Sequence, residues 1–152
     1  MTVKTQMIKD FAQIGFERLA RATKDLKPEQ LDWKSCQEAN TLRWILTHLN
    51  EELHVYLPKF LTAEPTKNWP KDYIGNKNFK IERMMKDLES GKRKLFANLN
   101  KLTNEKLEEE IDGWAGKKPR KYYIMLLTTE ILHHEGQIAA ILGVEKRMKG
   151  LK

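Results

Sequence analysis

The chain has 152 residues, 40% hydrophobic and 32% charged, with a formal net charge of +7. That length supports one self-sufficient domain over residues 1–152, and the composition excludes a disordered chain. A single cysteine, Cys36, excludes an intramolecular disulfide, and no apolar run approaches the roughly 18 residues of a membrane span.

The segment Met1–Thr5 is polar and lacks the apolar stretch of a signal peptide, so a cytoplasmic protein is expected. The basic charge invites a nucleic-acid reading. However, the lysines are interleaved with Asp and Glu along the whole chain. The densest basic runs, Lys117–Lys121 and Lys146–Lys152, lack the glycine-and-aromatic pattern of an RNA-binding signature. Nucleic acid is therefore not the expected partner.

Four segments show helical periodicity. The first, about Thr5 to Leu26, places Ile8, Phe11, Ile14, Leu19 and Ala22 on one face and ends before Lys27-Pro28. The second, about Ala39 to Thr62, repeats Leu42, Ile45, Leu46, Leu49, Leu53, Tyr56, Leu57 and Phe60, with Pro58 expected to kink or shorten its last turn. The third, about Asn78 to Leu102, uses Ile81, Met84, Met85, Leu88, Leu95, Phe96 and Leu99, with Gly91 as a weak point. The fourth, about Pro119 to Leu142, uses Tyr123, Ile124, Leu127, Ile131, Ile138, Ile141 and Leu142 and stops at Gly143. Strand-like alternation of comparable length is absent. The class is all-α.

The connections Leu26–Leu31 and Leu102–Leu107 resemble each other, each a short helical turn bracketed by leucines. The second-to-third connection, Ala63 to Lys77, runs about 15 residues, where antiparallel neighbours need only a few. A connection of that length crosses a bundle and lets the helices it joins run parallel. The expected architecture is a four-helix bundle with a long crossover between helices 2 and 3.

Chemistry concentrates in the fourth segment. Tyr123, Leu127, Glu130, Ile138 and Ile141 all fall within about 40 degrees of His134 on a helical wheel. A carboxylate and an imidazole one turn apart on an apolar face cost free energy unless paired, protonated or bound to something. His133 lies at the margin of that face. His48, in the second segment, sits at the edge of the leucine stripe, on the side shared with Thr41 and Glu52. Two imidazoles and a carboxylate from two helices make a catalytic zinc set with an open position, and equally a facial triad for ferrous iron. A satisfied core histidine or a Glu–His ion pair accounts for the same spacing. Glu52, one turn after His48, is a fourth donor or an acceptor orienting that imidazole. His54 reads as a surface or rim residue, and Met84, Met85, Trp33, Trp44 and Trp114 as core or loop packing. Cys36 has no basic or histidine neighbour to activate it.

The stretch Leu31-Asp32-Trp33-Lys34, followed by Ala39-Asn40-Thr41-Leu42-Arg43-Trp44-Ile45-Leu46-Thr47-His48-Leu49, resembles the front half of the DinB/YfiT-like metalloenzymes. His133-His134-Glu135-Gly136-Gln137-Ile138 is similar to the second motif of that family, and the resemblance covers most of the chain. It implies a four-helix bundle in which His48 is the first metal ligand and His134 the third. The family's second ligand is a histidine four positions before the third. Here that position is Glu130, and an arginine of the motif is replaced by Glu135.

The implied site is therefore His48, Glu130 and His134, holding a divalent ion (Zn, Ni, Mn or Fe) with preference shifted toward harder ions by the carboxylate. The resemblance also implies a small-molecule substrate, a homodimer and transferase or hydrolase chemistry, with a low-molecular-weight thiol as a co-substrate. The alternative is a non-catalytic helical binding or scaffold protein whose metal site has lapsed.

Overall fold

The computed structural model describes residues 2–150. Met1 and the end of the basic tail, Leu151 and Lys152, lie outside the described residues. Helix α1 spans Val3–Thr23 and starts in a reciprocal cap, in which Thr2 Oγ1 accepts from Thr5 N–H and Thr5 Oγ1 accepts from Thr2 N–H. After a 3₁₀ turn at Pro28–Gln30, α2 spans Leu42–Glu51, capped by Thr41 through the Trp44 N–H. A π-helical turn, Glu52–Tyr56, carries it into α3, Leu57–Phe60. Then follow α4 (Ile81–Leu99), α5 (Asn104–Glu108), a hairpin of β1 (Glu110–Gly113) and β2 (Gly116–Pro119), and α6 (Arg120–Met148).

Cross-helix contacts set the topology. Arg43 pairs with the Phe79 carbonyl, Asn50 with that of Met84 and His54 with that of Asp87, so α2 and α4 run parallel. His48 meets His134 while Phe60 meets Tyr123, so α2–α3 and α6 run antiparallel. This is the bundle with a crossover between its second and third long helices that the loop length predicts. The core runs through Leu42, Leu46, Leu49 and Leu53, with Met84, Leu95, Ile124 and Ile131 facing them.

The π turn has a local cause. Pro58 has no N–H, so the His54 carbonyl loses its helical donor. Thr66 N–H from the crossover bonds that carbonyl instead at 2.8 Å, and the Leu57 N–H reaches back five residues to Glu52. The same segment packs hard against α4. A Cβ on Gly91 would sit 2.8 Å from Leu53 Cβ, so the glycine that the sequence marks as a weak point is where the two helices touch.

Several expectations are corrected. The first helical face is Ile8, Ala12, Phe16 and Leu19, while Ile14 is 54% exposed. Small residues turn inward there, because a Cβ on Gly15 already lies 3.1 Å from Ile131 Cγ2. The fourth helix passes through Gly143 and continues to Met148. The β1–β2 hairpin goes unpredicted because its strands have four residues each and only β1 alternates, β2 being almost wholly exposed. Trp114, at its tip, rests an edge on Phe60 and Tyr123 but stands 59% exposed. No helix among the described residues is long and apolar enough to cross a membrane.

Candidate metal centre

Antiparallel packing of α2 on α6 brings His48 and His134 edge to face, with ring centroids 5.2 Å apart. Trp44, one turn before His48, stacks on its ring at 4.7 Å and fixes its plane. Glu52, one turn after it, reaches between the rings. Its Oε1 lies 3.5 Å from His48 Nε2 and its Oε2 lies 3.8 Å from His134 Nε2. One donor atom from each of His48, Glu52 and His134 fits within 4.8 Å of the others. From the rim, Glu130 places its Oε2 3.7 Å from the same His134 nitrogen, its side chain 31% exposed.

These separations exceed hydrogen-bonding range. They are close to the roughly 3.4 Å between donors arranged tetrahedrally about an ion at about 2.1 Å. Among the described residues His48 Nδ1, Glu52 Oε2 and His134 Nε2 are buried without a hydrogen-bond partner. Buried polar atoms left unpaired cost about 1–3 kcal/mol each, more when charged. An ion at the centre would satisfy Glu52 Oε2 and His134 Nε2 and take the lone pair of His48 Nε2, the nitrogen that faces Glu52, so the residues present fit a divalent metal.

Electrostatics point the same way. Burial holds both imidazoles below the ordinary histidine range, with His134 adding repulsion at His48 and Gln137 and Glu130 partly offsetting burial at His134. At neutral pH both rings are therefore uncharged and keep a lone pair. Burial, followed by the nearby Glu130, pushes the Glu52 carboxyl up to about 8. The arrangement disfavours its own negative charge until a cation enters.

Neighbouring polar groups are settled elsewhere. Glu135, where the family resemblance leads one to expect arginine, is buried and receives the Arg18 guanidinium of α1 at 2.9 Å. His133 is exposed and bonds to Gln137, whose other end meets His134. His54, expected at the surface, is 2% exposed. Its Nε2 faces the Asp87 carbonyl at 2.8 Å, its Nδ1 meets Thr66 Oγ1 at 2.7 Å, and Trp69 stacks on its face at 4.3 Å.

Of the residues expected from sequence, the structure thus brings His48 and His134 together with Glu52 between them and Glu130 beside them. Glu52 carries the same signal as Glu130, a carboxylate one turn from a histidine on a helix face.

The sequence profile described as the DinB superfamily matches residues 13–138, a span that includes His48, Glu52, Glu130 and His134. No curated protein matches. A crystal structure titled as that of a conserved protein from Enterococcus faecalis superposes with a TM-score of 0.76 over 95% of this chain and 97% of that one, at 14% identity. At that identity the likeness concerns the fold. With the profile covering most of the bundle, the chain belongs to the DinB superfamily.

Proposed function

We propose that the protein is a divalent-metal-dependent enzyme acting on a small molecule, of the transferase or hydrolase type. The observation that carries this reading is the convergence of donor atoms from His48, Glu52 and His134, of which Glu52 Oε2 and His134 Nε2 are buried and unpartnered among the described residues. These three would hold the ion, and Glu130 is the fourth donor from the rim. Two imidazoles and two carboxylates favour harder ions than a three-histidine set does, and four protein donors leave room for a reactant only on an ion accepting five or six. Manganese or ferrous iron suits that set better than zinc.

A bound ion supplies charge that lowers the pKa of a coordinated water or low-molecular-weight thiol. The chain's own residues do the rest. Trp44 excludes water from one face of His48, and Glu52 is held between the imidazoles. We carry the homodimer and the thiol co-substrate as parts of this reading.

The competing reading, a scaffold with a lapsed site, requires Glu130 and His134 to satisfy each other, and their 3.7 Å separation favours the metal. Calorimetric titration of metal-free protein with manganese, ferrous iron, nickel and zinc decides between them. The expected result is one saturable site, lost in His48→Ala and in His134→Ala. A flat titration with all four ions removes the proposal.

A further inference from the structure

A neutral imidazole offers a lone pair on one nitrogen only, so a metal-binding role for His134 depends on where its proton sits. His134 Nδ1 lies 2.9 Å from Gln137 Oε1, and Gln137 Nε2 lies 3.0 Å from His133 Nε2. An amide oxygen accepts and an amide nitrogen donates, which leaves two self-consistent arrangements. In the first, His134 carries its proton on Nδ1 and donates it to Gln137, while Gln137 donates to a bare His133 Nε2. In the second, the amide is turned end for end. Gln137 then donates to a bare His134 Nδ1, accepts from His133 Nε2–H, and leaves an N–H on His134 Nε2.

The two arrangements present opposite groups to Glu52 and Glu130. An N–H aimed between two carboxyl oxygens draws one of them into hydrogen-bonding range, about 2.7–2.9 Å where that group is ionised. Here the oxygens stand at 3.8 Å and 3.7 Å, and His134 Nε2 is buried with no partner among the described residues. That spacing suits a bare nitrogen. Glu135 does not compete for the amide, since its carboxylate is taken by Arg18.

We infer that Gln137 is a positioning residue that holds His134 in its Nδ1–H tautomer and so presents the Nε2 lone pair to the cluster, with His133 anchoring the amide from the solvent side. Gln137 lies one turn after His134 on α6, so the helix itself delivers the acceptor to Nδ1. The purpose of this arrangement rests on the metal reading above, but its geometry does not.

Imidazole nitrogen NMR on the full chain stripped of divalent ions, paired with manganese titration, tests the inference. The wild type is expected to show His134 as the Nδ1–H tautomer. Gln137→Glu keeps an acceptor for the same proton, so it should retain that tautomer and bind manganese at least as tightly. Gln137→Leu should lose the tautomer preference and bind manganese about 10–100-fold more weakly. An Nε2–H tautomer in the wild type overturns the inference, as does a Gln137→Leu protein with wild-type tautomer and affinity. If the tautomer pattern follows expectation but no ion binds even the wild type, the positioning role stands and the metal reading falls.

Discussion

His48 and His54 lie six residues apart on one continuous helical segment, yet they meet opposite fates. Around His54 both ring nitrogens are answered. The Asp87 carbonyl accepts only, so Nε2 carries the ring proton, and Nδ1 takes the Thr66 hydroxyl proton while Lys94 donates to the same oxygen. Tyr73 and Arg83 then both donate to Oδ2 of the Asp87 carboxylate. Around His48 the opposite holds: donor atoms of His48, Glu52 and His134 converge, and Glu52 Oε2 and His134 Nε2 find no partner among the described residues. A histidine whose bonds are all satisfied pins structure, here the crossover onto α4. A buried cluster whose donors face one another unsatisfied stores a cost that a ligand relieves.

The largest effect that sharpens this contrast is on stability. His54→Leu removes the bonds to the Asp87 carbonyl and Thr66 Oγ1 and loses the stack on Trp69, so it should cost on the order of 2–4 kcal/mol in chemical denaturation. Manganese stoichiometry in the folded fraction should stay unchanged. Metal-free His134→Leu, by contrast, should cost less, about 1 kcal/mol, because it removes the unsatisfied buried Nε2 and gives up only the part-buried bond to Gln137. Equal losses from the two would erase the distinction.

A smaller effect, of opposite sign, is expected at Glu52. Its folded pKa of about 8 lies above the ordinary carboxyl value of 4.5. The folded state thus holds a proton that the unfolded chain releases, and stability falls as pH rises from about 4.5 to about 8. Glu52→Gln removes that term. In metal-free protein the variant should gain about 1 kcal/mol or more over wild type at pH 8 and little at pH 5, read from urea midpoints. The lowered values of His48 and His134 act in the other direction, costing stability as pH falls below about 6.5, and are common to both proteins. The same substitution should weaken manganese binding. A variant more stable and yet equally good at binding would show that Glu52 is no ligand.

The smallest effect is a control. Gly136 lies in α6 beside the cluster, exposed, with nothing within 4 Å of where a Cβ would stand. Gly136→Ala should raise stability by about 0.5–1 kcal/mol without altering metal affinity. If affinity changed, stiffness of α6 rather than donor identity would be setting the site.

The contrast between the two histidines also shows what a sequence discloses. Glu130 and His134 are legible because α6 keeps a regular period, and His48 because it sits in a motif on α2. His54 is misplaced for two reasons. The π turn at Glu52–Tyr56 breaks the regular angle per residue, and the burial comes from a crossover whose docking is non-local. Glu52 was in view as a fourth donor or orienting group. Its place between both imidazoles follows from the antiparallel packing of α2 on α6, which no single helix encodes. Ile14 fails similarly, since periodicity weights large residues while Ala12 and Gly15 take the tight contact with α6. The hairpin's alternation is confined to the four residues of β1 around Ile111, too short a pattern to announce a strand.

The central claim is that the converging donors of His48, Glu52 and His134 exist to hold an ion. Elemental analysis of the full chain purified without chelator tests it most directly. About one divalent ion per chain, falling to background in a His48→Ala and His134→Ala double variant that remains folded, is the predicted result. A wild-type protein with no ion, or a double variant that retains it, would contradict the account.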